Sequence, residues 1–60
     1  MYNNILLNDR VAIVDGQSIF WGTKGKIIWH DDEGRATIEF DNVTEGYVQY
    51  VFHKKQLKKM

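Results

Sequence analysis

Val11-Ala-Ile-Val-Asp-Gly16, followed by Gly22-Thr-Lys-Gly25-Lys-Ile27-Ile-Trp-His30, is the stretch that decides the fold. It reads as a short alternating strand, a loop bounded by glycines, and a second strand that begins at Lys24. Glycines placed just before a strand mark a backbone that bends where a side chain would not fit. That combination predicts a small, strongly bent β-barrel.

Working outward, the same punctuation recurs. Asp31-Asp32-Glu33-Gly34 is a hairpin connection, with Gly34 suited to a left-handed backbone. Arg35 to Phe40 has the cleanest alternation in the chain: Ala36, Ile38 and Phe40 share one face, Arg35, Thr37 and Glu39 the other. In the second strand the period of two puts Ile27 and Trp29 together and Lys26, Ile28 and His30 opposite. Asp41 to Gly46 is a second turn segment. Tyr47 to Phe52 is a fourth strand, rich in β-branched and aromatic residues. His53 to Gln56 is too polar for a central strand and predicts one turn of 3₁₀ helix, with Leu57 as an apolar anchor beyond it. Ile5-Leu6-Leu7 is either an edge strand or a segment packed over the barrel mouth, and residues 1–8 are expected to be peripheral.

The fold class expected is all-β: one domain over residues 1–60, a barrel of about five short antiparallel strands. Its expected core is Val11, Ile13, Ile27, Ala36, Ile38, Phe40, Leu57 and part of the Tyr47–Phe52 strand.

Composition narrows the chemistry. A chain of 60 residues buries only about 60% of the surface its unfolded form exposes, so it needs an efficient core. It has no cysteine, which excludes disulfides and thiolate metal sites. Two Trp, three Tyr and three Phe supply the apolar area instead. Eight basic and eight acidic residues give a net charge of zero, which argues against a strongly basic nucleic-acid binder. No window has the apolar length to span a membrane, and the N-terminal residues lack the basic start and apolar core of a signal peptide. A cytoplasmic location is the expectation.

The pattern resembles the SH3-like barrels and, within them, the KOW-type modules of ribosomal proteins and transcription elongation factors. The residues that carry the likeness are Asp9-Arg10-Val11-x-Ile13, Gly16, Gly22, Gly25 and Ile27, then Ala36-x-Ile38-x-Phe40. The resemblance spans roughly residues 9–40 and implies binding of RNA or protein through loops at one barrel end. The chain departs from that motif between Gly16 and Gly22, where a longer loop holds Ile19-Phe20-Trp21. A weaker resemblance is to the plasmid-borne type II dihydrofolate reductases, small SH3-like chains that assemble around a shared pore. Val48 and Gln49 match their Val-Gln-hydrophobic-Tyr strand; Tyr50 and Val51 do not. In size and lysine-rich end the chain also looks like small SH3-like proteins of bacteriophages and prophages.

Three candidate sites follow. Ile19, Phe20 and Trp21, with Tyr47, are the candidate partner-binding residues, because large apolar side chains in a loop either fold back on the core or stand exposed for a partner. Lys24, Lys26, Lys54, Lys55 and Lys58 are candidate phosphate contacts for a nucleic acid; Lys59 lengthens the same cluster. Asp31, Asp32 and Glu33 beside His30 raise a metal site, but three adjacent carboxylates do not supply the six or more spaced oxygens that calcium needs. No metal and no cofactor is expected. The hydroxyls of Ser18, Thr23, Thr37 and Thr44 have no base at catalytic spacing, and Gly22-Thr-Lys-Gly25 precedes a strand where a phosphate loop precedes a helix. The expected function is a non-catalytic module that docks a protein partner, with nucleic-acid binding as the alternative and an oligomeric reductase as the second. The expected state is a monomer or small homo-oligomer.

Overall fold

The computed structural model describes residues 5–60. Among the described residues five strands follow one another: β1 (Arg10–Ile13), β2 (Lys24–His30), β3 (Arg35–Thr44), β4 (Tyr47–His53) and β5 (Leu57–Lys59). They form one antiparallel sheet in the order β4-β3-β2-β1-β5. β2, β3 and β4 are a meander of hairpins, whereas β1 pairs with β5, bringing Ile13 beside Leu57. The architecture is all-β and is compatible with an SH3-like barrel. A 3₁₀ turn at Lys54–Gln56 joins β4 to β5. It is capped reciprocally: the His53 ring accepts from the Lys55 N–H, and the Gln56 side chain accepts from the His53 N–H. Among the described residues no helix is long and apolar enough to cross a membrane.

The core follows the alternation read from the sequence. Val11, Ile13, Ile27, Ala36, Ile38, Phe40, Phe52 and Leu57 are all buried. Two further residues join them, Ile5 and Phe20. Ile5 therefore belongs to the core, while Leu6 and Leu7 after it are half exposed. No strand forms there, and Asp9 closes the turn by accepting the Leu6 N–H at 2.9 Å. The reading of the chain's first residues otherwise concerns 1–4, which lie outside the described residues.

Gly25 sits at a close approach of neighbouring strands. It pairs with Val11 on one side and Phe40 on the other. A Cβ there would strike the Glu39 carbonyl and come within 2.7 Å of Ile38 Cγ2, so only hydrogen fits between β2 and β3.

Two expectations are corrected. The register of β2 against β3 slips at Ile28: Ile27 faces Ile38, but Trp29 faces Thr37. This bulge moves Trp29 off the face of Ile27, and the indole is about half exposed. The segment Asp41–Gly46 is not all turn. β3 runs on to Thr44, and the chain reverses only at Glu45 and Gly46, with φ of 50° and 82°. Two consecutive left-handed residues are what a tight two-residue hairpin requires. Gly34, by contrast, takes the left-handed conformation expected of it, with φ 91°.

Candidate partner-binding surface

The loop between β1 and β2 is held by its own hydrogen bonds. Asp15 O accepts from the Ser18 N–H, Ser18 O from Trp21, Phe20 O from Thr23 and Ile13 O from Gly22. Ser18 Oγ accepts the Phe20 N–H, and the Asp15 carboxylate accepts from the Gln17 N–H and the Gln56 side chain. The Gln56 amide and the Gln17 N–H hold the Asp15 carboxyl below its ordinary pKa. The loop is thus tied at Asp15 to the 3₁₀ turn and at Gly22 to β1.

At its tip the three apolar residues separate. Phe20 is 2% exposed and turns inward, whereas Ile19 is 68% and Trp21 65% exposed. Phe20 was expected to meet a partner; it instead fills the core, because four aromatic rings surround it. Its ring lies 4.8 Å from Tyr50, 5.1 Å from Phe40, and 5.6 Å from both Tyr47 and Phe52. Tyr47 and Tyr50 form the outer wall of that cluster, 5.2 Å apart and edge to face. Both remain nearly half exposed. The large apolar side chains left exposed here are Ile19 and Trp21 at the loop tip, and Tyr47 and Tyr50, which rest on Phe20 from outside. Tyr50 carries no separate signal in the sequence, since β4 is apolar on both faces; its place emerges only from the pairing Ile38↔Tyr50.

No protein-family model, no curated protein and no solved structure matches this chain.

The candidate phosphate contacts divide into two groups. Lys24 and Lys58 flank Ala12 from the two neighbouring strands, and Lys26 stands opposite Arg10. With strands about 4.8 Å apart, the Lys24 and Lys58 backbones are about 10 Å apart on one face. Lys54 and Lys55 are elsewhere, on the 3₁₀ turn, where Lys54 Nζ donates to His30 Nδ1 at 3.3 Å. The first group is interleaved with acids. Arg10 makes a two-pronged ion pair with Asp41, and Lys26 faces Glu39. The Arg10 guanidinium, and more weakly Lys24, hold the Asp41 carboxyl below its ordinary pKa. Lys59 pairs with Asp9 at 3.4 Å. A polar depression of about 280 Å³ opens beside Lys24 and Asp41 and is completed by Gly22, Thr23, Asn42 and Thr44.

The acidic hairpin tip is structural. Asp31 accepts the N–H groups of Glu33 and Arg35 at 2.9 and 3.0 Å, and the Arg35 Nε at 3.0 Å. The Arg35 N–H foremost, then that of Glu33, keeps its carboxyl below the usual range. Among the described residues no three His, Asp or Glu side chains converge as metal ligands do.

Proposed function

We propose that the protein is a small non-catalytic binding module that docks a protein partner through the aromatic surface of Ile19, Trp21, Tyr47 and Tyr50. The observation that carries this reading is the combination at the loop tip: two large apolar side chains held in solvent by a loop that is itself hydrogen-bonded along its length. A rigid apolar pair loses little conformational freedom on binding, and Trp and Tyr are the side chains on which protein interfaces most often turn. Trp21 is the anchor, Ile19 its neighbour, and the two tyrosines supply amphipathic contact. Partner capture by wild type and Trp21→Ala, compared at equal circular dichroism, tests it. Loss of the partner with Trp21→Ala is expected; equal recovery removes Trp21 as anchor.

Nucleic-acid binding is the second reading, favoured by the gathering of Arg10, Lys24, Lys26 and Lys58 on one face. Asp41 and Glu39 beside them weaken the field, and it stands behind the first for that reason. Titration with RNA and DNA at two salt concentrations decides it. Binding that falls steeply with salt supports it, and no binding at low salt removes it.

A further inference from the structure

β4 ends the sheet, and among the described residues only β3 pairs with it. Its stretch Tyr47-Val-Gln-Tyr-Val51 has no charge and no proline. All five residues are exposed, the four apolar ones from 43% at Tyr50 to 60% at Val48. The outward backbone N–H and C=O groups of such a strand are a template for another strand.

We propose that this edge pairs antiparallel with β4 of a second copy, about a two-fold axis at Gln49. The sequence of the strand argues for the occupant. With Gln49 facing the second copy's Gln49, Val48 faces the second copy's Tyr50 and Tyr47 its Val51, and the same holds in reverse. All four flanking pairs join an aromatic to a β-branched residue, a favourable cross-strand combination. The central pair joins two amides, each able to donate and accept. Centring the axis on Tyr50 instead would set the Gln49 amide against Val51. A foreign strand would have to bring the matching pattern; this chain carries it already. No like charges meet, whereas two copies of β5 would bring Lys58 and Lys59 together.

Pairing through one edge is isologous, so it closes at the dimer. Five residues a side make a contact smaller than a standard protein interface, so the dimer is weak, in the micromolar to millimolar range. The contact shares Tyr47 and Tyr50 with the proposed docking surface but does not use Ile19 or Trp21 at the loop tip.

Sedimentation equilibrium from micromolar to millimolar concentration tests it, on wild type, Gln49→Lys, Gln49→Glu and an equal mixture of the two variants. Wild type is expected to dimerise with concentration. Each charged variant, meeting its own charge across the axis, associates about tenfold more weakly or not at all. The mixture, with Lys facing Glu, regains association. A wild type that stays monomeric overturns the proposal, as do charged variants that associate like wild type. A mixture that fails to recover overturns the pairing at Gln49. Gln49 is exposed but stands opposite Glu39 of β3, so the fold of each variant, Gln49→Glu above all, is checked by circular dichroism before sedimentation. Amide exchange on wild type gives a measurement free of substitutions: protection of Tyr47–Val51 rises with concentration, and protection independent of concentration overturns the dimer. Trp21→Ala dimerises like wild type; a weakened dimer there would move the contact to the loop and sink the edge pairing, so this test and that of partner docking fail separately.

Discussion

The two ends of the sheet are built on opposite terms. β4 is seven residues long, carries no Lys, Arg, Asp or Glu, and leans on an aromatic cluster. β5 is three residues long and two of them are lysines. The β1–β5 side is fastened by polar contacts: Arg10 with Asp41, Lys59 with Asp9, and Gln56 with Asp15. Short length and lysine are the usual means of keeping a sheet edge from recruiting strands. One end of this sheet has both and the other has neither. The difference teaches that an exposed apolar strand can be tolerated in so small a domain when its inner side is held by rings, leaving its outer side available for contact.

The largest effect should come from removing the ring that holds the β4 side. Phe20→Ala should lower stability by about 3–5 kcal/mol, read from urea unfolding. The loop hydrogen bonds would remain, so a loss of under about 1 kcal/mol would show that they, rather than the aromatic cluster, fix the loop.

Acid should act on the other side. Asp9, Asp15 and Asp41 all lie below their ordinary pKa: Asp9 chiefly through the Leu6 N–H and then Lys59, Asp15 through Gln56, Asp41 through Arg10. Their folded values lie below their unfolded ones, so the unfolded chain takes up protons first. Their contribution is complete at neutral pH and is lost as pH falls below about 4, through the folded values. Amide exchange in Arg10–Ile13 should quicken there before exchange in β4, which carries no carboxylate, whereas β3 holds Asp41 and pairs through Arg35 with Asp31, itself held low. Simultaneous loss in both strands would mean that the two sides do not differ in what holds them.

The smallest effect on stability, and the most direct probe of the contrast, is Lys58→Thr with Lys59→Thr. Removing both charges should raise self-association only slightly, because β5 remains short. Placed on Gln49→Lys, the pair should leave the protein monomeric by sedimentation. Strong association through β5 would show that lysine alone guards that edge.

Much of this is legible in the sequence. Arg35–Phe40 and Lys24–His30 are strands because their residue types and spacing leave no other choice, and Ala36, Ile38 and Phe40 are buried as their alternation requires. The 3₁₀ turn at Lys54–Gln56 is where polarity breaks β4 from Leu57. What failed depended on a neighbouring strand. The bulge at Ile28 is a property of the β2–β3 pair, so a period of two along β2 alone assigned Trp29 to the wrong face. Asp41–Thr44 looked like turn because its composition is polar, yet β3 continues through it to the two-residue reversal. The candidate surface was half legible. A loop with Ile19, Phe20 and Trp21 announces a choice between core and solvent, and Phe20 was drawn inward by Tyr47, Tyr50 and Phe52, some thirty positions later. Edge status, which makes Tyr47–Val51 of interest, belongs to strand order and to no single residue.

The pairing of β1 with β5 has a consequence in time. β3 and β4 are joined across two residues, whereas Ile13 waits for Leu57, 44 positions later. Closing so long a loop costs roughly 3 kcal/mol of chain entropy before any contact repays it. The meander β2-β3-β4 is therefore the part able to form early, and the lysine-bearing strand arrives last. During each folding event the uncharged edge would be exposed before the rest of the sheet is complete, so the yield of refolding should depend on protein concentration more than the finished molecule's solubility suggests.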